Sequence, residues 1–210
     1  MSREVTIGVT DEAFVEGFHL CYIYNDDREH KRTMAKFIER GLAEGDRLLC
    51  LLDKATPSDV QEYLRTLEVE APARPDALVT GDAESTYCPG GRLQVVPLLA
   101  ALEAFCRQST AAGFRGSRIT GDMSWAVKTH TSMEQLMEYE LKATETAKAA
   151  AAVALCQYDA RKFDGGTLVD ILSVHPAMLV RGQIVRNPYY LDPREFLAQR
   201  RARGDGESPG

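Results

Sequence analysis

The sequence predicts an α/β domain of three layers, in which a mostly parallel β-sheet carries helices on both faces. Short segments rich in β-branched and aromatic residues alternate with longer segments whose apolar residues recur at helical spacing. The run from Arg47 to Leu52 is continuously apolar after its first residue, which is typical of a strand buried on both faces. Glycine, proline, asparagine and aspartate separate these segments, as expected for turns.

In the amino-terminal half, the predicted elements are a strand at 18–24, a helix at 28–42, a strand at 47–52, a helix at 56–67 and a weak strand at 77–80. Asn25-Asp26-Asp27 supply turn and N-cap chemistry for the first helix. Thr56-Pro57 are interpreted as the N-cap and first residue of the second helix, because proline is favoured at that position. Residues 69–76 are predicted to be a loop.

In the carboxy-terminal half, the predicted elements are a helix at 93–112, a strand at 117–122, a helix at 132–148, a strand at 151–158, a short helix at 167–172 and a small hairpin of 178–180 with 183–185. Arg181-Gly182 would form the turn of this hairpin. We find no internal repeat. We therefore predict a single domain over 1–190, followed by a C-terminal helix and a flexible tail over 191–210.

Composition narrows the classes of function. The 210 residues are 44% hydrophobic and 27% charged, with a formal net charge of −6. The negative charge makes direct nucleic-acid binding a poor expectation. No apolar run is long enough to span a bilayer, and the first residues lack a signal-peptide pattern. The expectation is a soluble, cytoplasmic protein without a membrane partner.

The carboxyl end of the first strand lacks the features of a nucleotide site. Ligands of open α/β sheets bind outside the carboxyl ends of the strands. A phosphate loop there needs glycines with exposed backbone N–H groups and a lysine. This chain has Asn25-Asp26-Asp27 instead, and neither GxxxxGK[ST] nor GxGxxG occurs. Ordinary triphosphate binding is therefore not expected.

The fourth strand ends in a run that can be interpreted in two ways. Residues 118–125 read Arg-Ile-Thr-Gly-Asp-Met-Ser-Trp. Asp122 could hold a metal or fix a polar group of a ligand, with Trp125 beside it. Alternatively, Asp122 caps the next turn and Trp125, the single tryptophan, packs over the sheet edge. The sequence leaves both interpretations open.

The cysteines do not form a disulfide framework, because their number is odd and no CxxC pair occurs. Residues 155–159 echo the first strand, so these two strands are expected to be neighbours, with Cys21 close to Cys156. Strand alternation places His19, Cys21 and Ile23 on one face and the tyrosines at 22 and 24 on the other.

Zinc or copper(I) could be bound at a Cys2His2 site formed by His19, Cys21, Cys156 and His175. Only the first two are close in sequence, and both lie in a rigid strand. We therefore expect packed thiols and hydrogen-bonded histidines, with no metal. His30 and His130 are expected to be exposed. Neither GxSxG nor HExxH occurs, so no enzyme activity is predicted.

Three segments together resemble the MEDS family, the methanogen and methylotroph sensory domain. They are His19-Leu20-Cys21-Tyr22-Ile23-Tyr24 leading to Phe37-Ile38-Glu39-Arg40-Gly41-Leu42 and Gly45-Asp46; Gly116-Ser117-Arg118-Ile119-Thr120-Gly121-Asp122-Met123-Ser124-Trp125; and Leu155-Cys156-Gln157-Tyr158-Asp159 followed by His175-Pro176. The resemblance covers about residues 15 to 190. It implies a core like that of RecA or KaiC proteins from which the phosphate loop has been lost.

The resemblance also implies a function. The family is thought to sense one-carbon or other small hydrocarbon derivatives, beside signalling partners such as histidine kinases or anti-sigma regulators. The implied ligand-binding residues are His19, Cys21, Tyr24, Asp122, Trp125, Cys156, Tyr158 and His175. We therefore predict a non-catalytic sensory domain that binds a small molecule at the carboxyl ends of the strands, in a pocket lined by these residues, and regulates a partner in trans; its cofactor is unknown. The alternatives are a ligand-free interaction scaffold and a degenerate nucleotide-binding or thiol-dependent protein.

Overall fold

The computed structural model describes residues 3–54, 56–57, 59–191, 195–196 and 198. The predicted C-terminal helix and tail, 191–210, therefore lie mostly outside the described residues. The strands are β1 (Glu4–Val5), β2 (Phe14–Val15), β3 (Phe18–Tyr24), β4 (Arg47–Leu52), β5 (Leu78–Asp82), β6 (Ser117–Asp122), β7 (Val153–Asp159), β8 (Ala177–Val180) and β9 (Gln183–Arg186). The helices are α1 (Asp27–Ala43), α2 (Val60–Leu67), α3 (Ala83–Tyr87), α4 (Val95–Ala111), α5 (Trp125–Lys128), α6 (Met133–Ala149) and α7 (Gly165–Ser173), with short 3-10 turns at Pro75–Ala77 and Pro89–Gly91.

Seven strands form one sheet in the order β5-β4-β6-β7-β3-β8-β9. All neighbouring pairs are parallel except β8 with β9, which form the predicted hairpin. β1 and β2 pair separately as a short antiparallel ribbon. The predicted α/β class, the mostly parallel sheet and the C-terminal hairpin are thus confirmed.

Helices cover both faces of the sheet, which confirms the three predicted layers. α1 and α2 pack with the β1–β2 ribbon on one face, through residues such as Phe37 and Leu64. α3 to α7 cover the other face, through residues such as Leu102, Trp125 and Ile171. Because side chains alternate along β3, Cys21 joins the second of these cores and Tyr22 the first. No helix of the described residues is long and apolar enough to cross a membrane.

The turn after β3 begins α1 as predicted. The Asp26 carboxylate accepts a hydrogen bond from the backbone N–H of Glu29 at 2.7 Å, so it caps the helix. An acidic side chain thus occupies the position at which a phosphate-binding helix would receive its anion. The helix then buries Met34, Phe37 and Ile38 at helical spacing.

The predicted start of α2 is wrong. The helix begins at Val60, and its N-cap is Asp59, whose carboxylate accepts from the N–H of Glu62 at 2.9 Å. Thr56 instead closes a turn through its N–H to the carbonyl of Asp53 at 2.8 Å. β1, β2, α3 and α5 were not predicted from the sequence. These elements span two to five residues, too few for hydrophobic periodicity to be visible.

Candidate functional site

Four buried side chains converge on the sheet face that α6 covers: His19, Glu140, Cys156 and His175. Their nitrogen, carboxylate-oxygen and sulfur atoms all lie within 4.8 Å of one another. His19 Nε2 is 3.1 Å from Cys156 Sγ and 3.4 Å from Glu140 Oε2. The same carboxylate oxygen is 3.2 Å from His175 Nε2 and 3.5 Å from the Cys156 sulfur. We call these four residues the histidine cluster.

The sheet register creates this convergence. β3 and β7 are parallel neighbours, with His19 opposite Ala154 and Cys21 opposite Cys156. The predicted proximity of the two cysteines is therefore confirmed. His175 follows α7 and leads into β8, the other neighbour of β3. Glu140 lies on the buried side of α6, the side that faces the sheet, and its carboxylate points into the cluster.

Hydrogen bonds around the cluster fix the proton positions of both imidazoles. The Thr144 hydroxyl donates to the carbonyl of Glu140 at 3.1 Å, so its oxygen accepts from His19 Nδ1 at 2.8 Å. The carbonyl of Ile171 can only accept, so His175 Nδ1 donates to it at 2.8 Å. The Nε2 atoms of both rings therefore face the centre of the cluster.

Burial governs the charges in the cluster. Burial and the neighbouring His175 lower the pKa of His19 to about 3, so this ring is neutral near pH 7. Burial and then the Glu140 charge raise the pKa of the Cys156 thiol well above its usual value. Burial alone would raise the pKa of Glu140, but His175 and His19 outweigh it, and that pKa is lowered. Tyr158 donates its hydroxyl proton to the other oxygen, Oε1, of the Glu140 carboxylate.

Trp125 belongs to an aromatic group beside the cluster. Its indole stacks on the Tyr87 ring, with centroids 4.8 Å apart, and Tyr139 meets the Tyr87 ring edge-on at 5.4 Å. The tryptophan is 2% exposed, so it is buried in the core that the helices on this face form with the sheet.

A small cavity extends from the histidine cluster between α4, α6 and the sheet. It leaves about 30 Å³ for the centre of a water-sized sphere. His19 and Cys156 supply its polar end, and Tyr87 and Tyr139 line it as well. The remaining wall is largely aliphatic and includes five alanines, Ala143, Ala147, Ala150, Ala152 and Ala154. The space exists because these side chains end at Cβ, and we call it the alanine cavity.

The alanine cavity has a neighbour at the protein surface. An open groove of about 410 Å³ lies between the last turns of α4 and α6, and includes Arg107 and Thr110. Cys106 and Ala150 line both the groove and the cavity. The groove and the cavity therefore adjoin at these two residues.

A second, more polar pocket lies at the carboxyl ends of the strands. It measures about 200 Å³ and is lined by residues that include Asp53, Tyr63 and Asp122. Here His30 Nε2 is 2.6 Å from Gln157 Oε1, and its ring stacks on Tyr24. We call this the edge pocket.

The eight predicted ligand residues therefore fall into separate places. Tyr24 and Asp122 lie at the edge pocket or next to it. His19, Cys156, His175 and Tyr158 form or support the histidine cluster in the interior, with Cys21 and Trp125 close by. Asp122 Oδ1 accepts from the N–H of Ser124 at 2.8 Å, so the capping interpretation of Asp122 is confirmed.

Sequence reasoning missed two residues of these sites. His30 was expected to be exposed but is half-buried in the edge pocket, whereas His130 is exposed as expected. Glu140 was not among the predicted site residues. Its position was readable, because it lies three or four residues from Leu136, Met137 and Ala143, which share the buried side of the helix.

The protein is thus an α/β domain with a mostly parallel sheet and with histidine and cysteine side chains buried in its interior. Residues 18–176 match the model of the MEDS family, described as "MEthanogen/methylotroph, DcmR Sensory domain". The match covers most of the chain, and the chain therefore belongs to the MEDS family of sensory domains.

One relative gives this family a regulatory context. Over 158 residues the chain is 28% identical to the transcriptional repressor DcmR of Methylorubrum extorquens (strain DSM 6343 / CIP 106787 / DM4). The match covers 75% of this chain and 57% of that repressor, so the chain spans little more than half the length of the relative.

Proposed function

We propose that this domain is a non-catalytic sensor that binds a one- or two-carbon organic molecule in the alanine cavity and thereby regulates a partner protein in trans. One observation carries the proposal: in a member of a sensory family, a small cavity with aliphatic walls ends at two of the predicted ligand residues, His19 and Cys156. Its size and polarity define the class of ligand.

The cavity volume favours a very small ligand. The space in the cavity exceeds what one ordered water needs, so a molecule of a few heavy atoms fits between the cluster and the helices. The alanine and leucine wall favours a methyl or methylene group, and the polar end can accept or donate one hydrogen bond.

The protonation states support binding over catalysis. A histidine whose pKa is about 3 is a weak general base near neutral pH. A buried thiol with a raised pKa is a weak nucleophile, because the thiolate is the reactive form. Both groups remain suitable for contacting a bound molecule.

Transmission requires that the ligand favour one of two states of the domain. A molecule in the alanine cavity touches α4 and α6, and the same helices form the surface groove. Closure of these helices on the ligand would change the shape of the surface groove. A partner that binds at the groove would then bind the two states with different affinities. The repressor relative and the family resemblance support a partner in transcription or signalling, such as a histidine kinase or an anti-sigma regulator.

The proposal is tested by filling the cavity. Ala154→Val adds two methyl groups to the cavity wall, and valine is well suited to a strand. Methanol, methanethiol and chloromethane serve as probes, with binding followed by ligand-observed NMR. At least one probe should bind the wild type, and Ala154→Val should weaken its binding at least tenfold. Ala13→Val, at an exposed position, is the matched control and should leave binding unchanged.

The edge pocket is the second candidate site, because it is larger and lies where α/β sheets usually bind ligands. His30→Ala removes the ring that stacks on Tyr24 there. Probe binding that survives Ala154→Val but is lost in His30→Ala would move the ligand to the edge pocket. No binding of any probe would contradict the alanine-cavity proposal.

A further inference from the structure

We propose that the histidine cluster is a four-coordinate site for a divalent transition-metal ion of the zinc type. Two imidazole nitrogens, one carboxylate oxygen and one thiolate sulfur are ligand types that zinc accepts. Three of the four residues were considered as metal ligands from the sequence, and Glu140 takes the place that Cys21 held in that set.

The outward hydrogen bonds of the cluster are the first argument. Metal-bound histidines usually donate their other ring N–H to a protein oxygen, which fixes the tautomer. Both histidines do this here, His19 to Thr144 and His175 to the Ile171 carbonyl. Glu140 follows the same pattern, because Oε1 accepts from Tyr158 and leaves Oε2 for the centre.

The inward-facing atoms are the second argument. His175 Nε2 faces Glu140 Oε2 at 3.2 Å. Although buried, this nitrogen makes no hydrogen bond of acceptable geometry. A metal ion between the two atoms would give the nitrogen a partner and would also bind the carboxylate oxygen.

Spacing and charge fit a metal ion. Bonds of about 2.0–2.3 Å at tetrahedral angles place ligand atoms about 3.3–3.8 Å apart. Four of the six distances between these atoms measure 3.1–3.5 Å, and the other two do not exceed 4.8 Å, so the more distant pairs must approach by up to about 1 Å for tetrahedral coordination. One carboxylate and one thiolate also neutralise a divalent ion, as a fully buried site requires.

The metal site does not depend on the proposed sensory function, but the two meet at His19 and Cys156. These residues belong to the cluster and also form the polar end of the alanine cavity. If a ligand binds in the cavity, it contacts the metal-bound His19 and Cys156, because four protein ligands leave no open position on the ion. That last step rests on the proposed function.

Metal content and cobalt spectroscopy test the site. The ligands are entirely buried, so the metal is supplied during expression, in minimal medium with Zn²⁺ or with Co²⁺. The purified full chain should contain one metal ion per chain by elemental analysis. The cobalt form should show the visible bands of tetrahedral Co²⁺ and a near-ultraviolet thiolate-to-cobalt band.

Matched variants assign the ligands. Cys156→Ser should abolish the thiolate band, whereas Cys21→Ser, at the neighbouring strand position on the same face, should keep it. Tyr158→Phe removes only the support of Glu140 and should weaken metal affinity 10–100-fold in competition with a chelator. This variant retains all four ligands, so it remains informative if ligand variants do not fold.

Three outcomes would overturn the proposal. Folded wild type without metal, after expression with Zn²⁺ and with Co²⁺, would mean that hydrogen bonds and packing alone hold the histidine cluster together. Bound cobalt without a thiolate band would place the metal elsewhere, and a band lost in Cys21→Ser but kept in Cys156→Ser would reassign the thiol ligand. None of these readouts uses an organic probe, so a failure here is distinct from a failure of the sensory proposal.

Discussion

Gly121 shows how one residue shapes the core around Trp125. A Cβ at this position would lie 2.2 Å from the Tyr87 hydroxyl oxygen, far inside van der Waals contact. Only glycine lets the Tyr87 ring lie against β6, where it stacks on Trp125. The Thr-Gly-Asp segment of the family resemblance therefore has a packing role at its glycine.

Gly121→Ala should lower the free energy of unfolding by about 2 kcal/mol, because overpacking a tight core costs about 1–3 kcal/mol. Urea denaturation measures this. In a Tyr87→Phe background the hydroxyl is absent, and the cost of Gly121→Ala should shrink. An equal cost in both backgrounds would mean that the hydroxyl contact is not the cause.

The Asp159–Arg161 ion pair predicts a pH dependence of stability. Burial works to raise the pKa of Asp159, but its hydrogen bonds with Arg161 prevail and hold the pKa below its ordinary value of 3.8. A carboxylate with a lowered folded-state pKa stabilises fully above its unfolded pKa. This contribution is lost as pH falls through the lower folded-state value.

Arg161→Gln should therefore destabilise the protein at pH 7 and less so toward pH 3. Arg161 is 47% exposed, so solvent screening keeps the effect at pH 7 small. Urea denaturation of both proteins between pH 7 and pH 3 checks the trend. A difference that stayed constant or widened toward pH 3 would count against this assignment.

At the scale of elements, the first residues of α1 are unsuited to binding a nucleotide phosphate. Asp26 caps the helix with a carboxylate, and the neighbouring Asp27 binds Arg161. An incoming phosphate would meet two negative charges where it needs free N–H groups. The structure agrees with the expectation that the phosphate loop is lost.

Millimolar Mg-ATP should therefore leave the melting temperature of the protein unchanged. Asp26→Ala should reduce the free energy of unfolding by about 1 kcal/mol, the usual cost of losing an N-cap. Differential scanning fluorimetry and urea denaturation make these two measurements. A clear stabilisation of the wild type by ATP would revive the degenerate nucleotide-binding alternative.

The second resemblance segment joins α1, β4 and β6 through a buried ion-pair group. Arg118 Nε donates to Asp46 at 2.8 Å, and its NH2 group donates to Glu44 at 2.7 Å. Gly41 makes room for this arginine, because a Cβ there would lie 2.7 Å from Arg118 Cδ. Gly41, Asp46 and Arg118 thus hold the scaffold together on the face opposite the histidine cluster.

At the scale of the whole molecule, the fold followed from sequence because its signals are local. Hydrophobic periodicity and turn residues were sufficient for β3, β4, β6 and the long helices. α2 was misplaced because Thr56-Pro57 and Asp59 both offer capping chemistry, and the sequence does not tell which one begins the helix. The shortest elements form through tertiary contacts and leave no periodic pattern.

The site was predicted less completely, because it depends on contacts between residues distant along the chain. The proximity of Cys21 and Cys156 followed from two similar strands. Glu140 and His30 needed the placement of α6 and α1 over the sheet before their role could be recognised. The ligand site was also expected at the carboxyl ends of the strands, whereas most of the predicted ligand residues lie in the interior.

The central claim is that a one- or two-carbon molecule binds in the alanine cavity. Intermolecular nuclear Overhauser effects between ¹³C-labelled methanol or methanethiol and the full chain test it most directly. We expect contacts to the methyl groups of Ala143, Ala147 and Ala154, which line the cavity. Contacts to Leu52 and Tyr63 of the edge pocket instead, or no contacts at saturating probe, would contradict the claim.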